Sequence, residues 1–148
     1  AASNPYYGPG LGISDDQFRK IMDNNILSNH WLISMVAPEM LERGEGSIII
    51  ISSIGGLKGS PIIGAYGISK AADMQVARNF SVEFGPRGVR VNCIAPGLIR
   101  TDMARALWEN EENLRRDEHV IAANSYTLSK NKKLGYANVV HIRAFSFL

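Results

Sequence analysis

Residues 47–97 read SIIIISSIGGLKGSPIIGAYGISKAADMQVARNFSVEFGPRGVRVNCIAPG, and the order of patterns in this stretch decides the fold. It opens with SIIIIS at 47–52, a continuous β-branched run of strand length, as expected for a parallel strand covered on both faces. A Gly/Pro/Ser-rich loop over 53–64 follows. The next segment has helical periodicity, with Ala65, Ile68, Ala72, Val76 and Phe80 along one side, and Gly85-Pro86 stops it. A second short strand, VRVNCI at 89–94, ends at Ala95-Pro96-Gly97. Strand, helix and strand in this order imply a parallel pair joined by a right-handed crossover, and so an α/β chain.

Upstream of this unit, Ser14 and Gln17 form a capping-box pattern, and Asp15 and Asp16 oppose the helix dipole favourably. A helix is predicted from there to about Arg43, with an apolar stripe of Phe18, Met22, Leu32, Val36 and Met40. Asn25 and Asn29 fall inside that stripe, and Pro38 should kink the last turns. Gly44-Glu45-Gly46 breaks the helix before the first strand. Residues 5–13 (PYYGPGLGI) are turn chemistry. Gly8, Gly10 and Gly12 imitate a nucleotide loop, but no strand precedes them to aim such a loop at a phosphate.

The chain has 148 residues, 45% of them apolar and 20% charged, which is ordinary for a globular domain and sets one domain as the ceiling. That length is short for a complete α/β enzyme. A net charge of +2 lacks the basic stripe that a nucleic-acid partner would require. All 14 acidic residues lie within 1–118, while 119–148 hold four basic residues and no acid. Residues 1–118 are therefore expected to carry the domain, and 119–148 to form a basic tail outside the fold. That tail reads either as an interaction segment or as unrelated sequence from an altered reading frame or splice. Cys93 is the only cysteine, which excludes an intrachain disulfide and any CxxC site. It reads as a small buried side chain and is compatible with a reducing, cytoplasmic setting. No apolar run approaches a membrane span, and the start, AASNP, has the look of a truncated front rather than a leader.

In an open parallel sheet, ligands bind beyond the carboxyl ends of the strands. Ser53 directly follows the first strand, Pro96-Gly97 follow the second, and Tyr66 starts the crossover helix that leaves the same edge. Tyr66 and Lys70 are four apart, so both lie on one helix face. A free phenol titrates at about 10, too high for efficient proton transfer at neutral pH, and a neighbouring ammonium should lower it. Ser53 could donate a hydrogen bond to a substrate oxygen as charge develops there. The spacing alone is a common accident, and Tyr126 and Lys130 repeat it. What separates the pairs is context: thirteen residues before Tyr66 stands Ser53 at a strand end, whereas thirteen before Tyr126 stands Asn113 in a charged stretch.

Ser53, Tyr66, Lys70 and then Pro96-Gly97 match, in order and spacing, the pattern of the short-chain dehydrogenase/reductase family, and over roughly residues 1–115 the chain resembles that family. The resemblance implies an incomplete Rossmann-like parallel sheet and hydride transfer between NAD or NADP and a small-molecule carbonyl or alcohol. It implies Tyr66 as proton donor or acceptor, Lys70 as the group that lowers the tyrosine pKa and binds the nicotinamide ribose, and Ser53 as the orienter of the substrate carbonyl. Pro96, Gly97, Ile99 and Thr101 would contact the nicotinamide end. Asn25 falls where the family's helix asparagine anchors a water in a proton relay; read without the family, it is a core asparagine satisfied by backbone. Met103, Leu107 and Trp108 would belong to the segment closing over an apolar substrate. The run NCIAPGLIRT is most similar to the carbonyl and retinal reductase branch, although ketoacyl reductases share most of it.

The family's opening strand, its TGxxxGxG turn and the residue that selects NAD or NADP are not in this sequence. The rival expectation is a noncatalytic interaction or dimerisation module. In this family the two long helices commonly pair with those of a second subunit, which implies a homo-oligomer.

Overall fold

The computed structural model describes residues 2–97 and 140–142. Residues 2–95 together with 140–142 belong to one compact unit; Pro96 and Gly97 open a second, whose remaining residues lie outside those described.

Helix α1 (Asp15–Met22) begins as its sequence predicts. Gln17 N donates to Ser14 Oγ at 3.3 Å and Ser14 N donates to Gln17 Oε1 at 3.1 Å, so two otherwise orphaned amides are satisfied reciprocally. The predicted single α-helix is interrupted, however. A π-helical turn over Asp23–Leu27 separates α1 from α2 (Ser28–Arg43). Polar side chains bond to carbonyls in this wider turn: Ser28 Oγ donates to Asn24 O at 2.6 Å, and Asn29 Nδ2 donates to Asn25 O at 2.8 Å. Pro38 lies inside α2, which still reaches Arg43 before Gly44, at φ +70°, ends it in the left-handed region.

The π turn also corrects the expected stripe. The buried positions are Ile21, Asn25, Ile33 and Ala37, with Asn29 half-buried between them, so the inward line advances in steps of four. Leu32 and Val36, assigned to the core by an α-helical count, are 55% and 43% exposed. A step of four overshoots the 3.6-residue turn of an α-helix, and one wide turn absorbs the accumulated drift.

Strands β1 (Gly46–Ile51) and β2 (Val89–Ala95) pair in parallel with Ile48 opposite Val91 and Ile50 opposite Cys93, joined by α3 (Gly64–Phe84). Along β2 the residues Val89, Val91, Cys93 and Ala95 are all buried. They meet Ile50 of β1, Ile33 and Ala37 of α2, and Met74, Ala77 and Phe84 of α3 in one apolar core. Burial also pushes the Cys93 thiol above its ordinary range, consistent with a packing role.

Three expectations change here. β1 is covered on one face only among the described residues, with Ile49 and Ile51 each 55% exposed. The inward side of α3 is not Ala65, Ile68 and Ala72, and Ile68 is exposed; it is Ser69, Lys70, Asp73, Met74, Ala77 and Phe84. Finally, three residues of the stretch expected to lie outside the fold form β3 (Val140–Ile142), antiparallel to β2 with Ala95 opposite Val140. An open edge on β2 would leave unpaired amides and carbonyls, which a third strand satisfies.

Candidate active site

The end of β1, the loop behind it and the first two turns of α3 converge. Ser52 N donates to Ile94 O at 2.7 Å, carrying the parallel ladder one residue past β1, and Ser52 Oγ donates to Lys70 O at 2.6 Å. Ser53 then turns the chain into a 3-10 turn over Ile54–Gly56, its Oγ accepting from Gly55 N at 3.1 Å. That turn presses against α3. A Cβ on Gly56 would lie 2.6 Å from the Lys70 carbonyl carbon, and one on Gly67 would lie 2.8 Å from Gly55 O. Only glycine permits this approach, and it brings Ser53 within hydrogen-bonding reach of the Tyr66 phenol.

Lys70 and Asp73 are both buried, and Lys70 Nζ donates to Asp73 Oδ2 at 2.9 Å and to Ile51 O at 3.1 Å. The ammonium lies 5.7 Å from the centroid of the Tyr66 ring. Asp73 Oδ1 accepts from Asn29 Nδ2 at 2.8 Å, so both carboxylate oxygens are matched, as a buried ion pair requires.

The spacing argument expected the Lys70 charge to lower the Tyr66 pKa. The structure gives the opposite direction. Burial pushes the phenol above its ordinary value; the Ser53 hydrogen bond opposes this, and the Asp73 carboxylate and then Tyr7 add to the rise. Burial explains most of the difference, and the negative charge of Asp73, paired with the ammonium at 2.9 Å, adds to it.

Asn25 is buried one turn away. Its Oδ1 accepts from Ser3 N at 2.7 Å, and its Nδ2 donates to Ser3 O at 3.1 Å and to Ser69 Oγ at 2.9 Å. Ser69 Oγ in turn donates to Tyr66 O at 2.7 Å. The Asn25 amide thus reaches the backbone of Tyr66 through Ser69, and its bonds go to neither the Tyr66 nor the Lys70 side chain. Pro96 and Gly97 directly follow β2, while Ile99, Thr101, Met103, Leu107, Trp108, Tyr126 and Lys130 lie outside the described residues. Sequence reading missed Ser3, Ser52, Ser69 and Asp73. The signal for two of them was available: Ser69 and Asp73 stand three and seven residues after Tyr66 on the same face of α3, too polar for a plain core.

Residues 1–134 match the family model described as enoyl-(acyl carrier protein) reductase. The chain belongs to the short-chain dehydrogenase/reductase family. Among curated short-chain relatives, it is 38% identical over 117 residues to dehydrogenase/reductase SDR family member 4 of Mus musculus, covering 79% of this chain and 41% of the relative. With the Bos taurus protein of the same name, identity is 42% over 110 residues, covering 74% and 39%. The chain thus spans about two fifths of the length of these short-chain relatives. Among solved structures, a gluconate 5-dehydrogenase from Burkholderia cenocepacia in complex with NADP and tartrate superposes with a TM-score of 0.73 at 26% identity, covering 76% of this chain and 44% of the other. A 4-hydroxyisoleucine dehydrogenase complexed with NADH gives 0.71 at 30%, covering 87% and 58%. The short-chain neighbours thus share a Rossmann-like α/β fold with this chain and bind nicotinamide dinucleotides.

Proposed function

We propose that this chain takes part in NAD(P)-dependent hydride transfer between a nicotinamide and a carbonyl or secondary alcohol of apolar character. The observation that carries the reading is the meeting of Ser53, Tyr66 and Lys70 at the carboxyl end of β1, where Lys70 Nζ donates to Ile51 O and Ser53 bonds the Tyr66 phenol. A reduced nicotinamide bound there supplies the hydride. Tyr66, which burial keeps protonated, donates its phenolic proton to the oxygen that gains charge, and the reverse direction returns it. Ser53 orients that oxygen. The Lys70 ammonium stabilises the resulting phenolate and offers a donor to a ribose hydroxyl of the cofactor. Asn25 is the proposed anchor of a relay water, and Pro96, Gly97, Ile99 and Thr101 are the proposed contacts to the nicotinamide end.

NAD and NADP remain equal candidates for the cofactor. No helix among the described residues is long and apolar enough to cross a membrane, and a free buried Cys93 fits the proposed cytoplasmic location. Residues 1–118 carry the proposed domain, to which Val140–Ile142 of the basic segment 119–148 add the strand β3. Exposed Leu32, Met35 and Val36 on α2 and Val82 on α3 support homo-oligomerisation through the long helices alongside the chemistry.

The test assays the protein by nicotinamide absorbance with NADH and NADPH against apolar ketones. Tyr66→Phe keeps the ring and removes the transferable proton, so turnover should fall by roughly 10²- to 10⁴-fold. Tyr126→Phe should leave turnover unchanged. Retention of activity by Tyr66→Phe would falsify the assignment.

A further inference from the structure

The Lys70 ammonium has three N–H donors. One goes to Asp73 Oδ2 and one to the Ile51 carbonyl at the end of β1, and the third has no partner among the described residues. Asp73 is fully buried and touches no surface from which a substrate could approach. Its carboxylate is clamped from two sides, by Lys70 within α3 and by Asn29 from α2, whose second N–H is used on Asn25 O. Without Asp73, the only remaining acceptor for the ammonium would be a neutral carbonyl, and a buried cation without an anion is costly enough to move or lose its proton.

We propose that Asp73 is the positioning residue of this site, acting through Lys70 by holding the ammonium at the end of β1 so that its one uncommitted donor serves the Tyr66 side. This rests on the reading of Tyr66 and Lys70 as the reacting pair, and it assigns a task to a residue outside that pair. The groups facing Tyr66 are Ser53 from the loop, Tyr7 from the amino-terminal segment, and Lys70 and Asp73 from α3 itself. Of these only Asp73 is an anion bound to the ammonium.

Reductive methylation of the full chain, read lysine by lysine with peptide mass spectrometry, tests the proposal without relying on turnover. Buried Lys70 should resist modification while exposed Lys20 reacts. In Asp73→Asn the Lys70 rate should rise by roughly tenfold or more, as loss of a hydrogen bond between charged groups implies, with Lys20 unchanged. Asp73→Glu, which restores an anion, should recover part of the protection. A purely structural role would leave Lys70 and Lys20 moving together. Should Asp73→Asn fail to fold, Asn29→Ala removes only the donor that orients the carboxylate and should raise Lys70 labelling by a smaller factor. Unchanged Lys70 labelling in a folded variant overturns the proposal. Release of Lys70 without loss of turnover would instead sink the reading of the Tyr66–Lys70 chemistry while leaving the positioning role standing.

Discussion

The two halves of α3 are buried by different chemistry. Between Tyr66 and Asp73 the inward positions are Ser69, Lys70 and Asp73, tied to Asn25, Asn29, Ser52 and Ile51 by hydrogen bonds. Between Met74 and Phe84 they are Met74, Ala77 and Phe84, with Phe80 stacked on Phe84 at 4.9 Å. The second half needs only matching shape. The first needs hydrogen-bond partners for its buried polar groups, since a buried polar group left with none costs about 1–3 kcal/mol. Hydrocarbon in the same positions would often be as stable or more so. One helix therefore separates stabilisation from chemistry along its length, and the polar half is the one that lies at the carboxyl end of β1.

The comparison can be broken in stages. Phe84→Ala, in the apolar half, should cost about 3–5 kcal/mol, read as a lower midpoint in urea, while Lys70 stays protected from labelling. Loss of that protection would show that the halves are not independent. Ser14→Ala removes the capping box at the start of α1 and should cost about 1 kcal/mol in the same assay, with no effect on the Tyr66 titration. A subtler signal comes from pH. Because the native Tyr66 pKa is raised, native and unfolded states hold the same proton below the ordinary phenol value of about 10; above it the unfolded state releases the proton first. Stability should therefore fall as pH climbs from that value through the native pKa. Ser53→Ala removes the bond that opposes the rise and should extend the loss to higher pH, whereas Tyr66→Phe should abolish it. Identical alkaline slopes in all three proteins would deny the Ser53–Tyr66 contact.

The parallel strand pair, its crossover helix and the convergence on one edge were legible because each rests on local pattern: a β-branched run, a helical period and the glycines that punctuate them. The capping box at Ser14 was legible for the same reason. The inward face of the first helix was not, since a π turn leaves no residue type of its own and shifts the count by less than a full position per turn. β3 was hidden by composition, its edge pairing depending on what β2 leaves open rather than on the charge of 119–148. The Tyr66 environment was misjudged for a related reason. Spacing places Lys70 beside the phenol, but the burial that raises the Tyr66 pKa and the Asp73 carboxylate that adds to the rise come from tertiary packing.

The wide turn at Asp23–Leu27 makes the long helix a phase-locked part. Closing it to ordinary α-helix without a change of length would rotate everything downstream by about one residue step, roughly 100° around the axis, whereas deleting one residue at the same time would cancel that rotation. Ile33 and Ala37 would swing out of the core and Asn29 away from Asp73, so a change of winding alone would disrupt the core and the ion pair together. Elsewhere on the same helix surface a substitution alters one contact; here a change of winding alters the gearing of all of them.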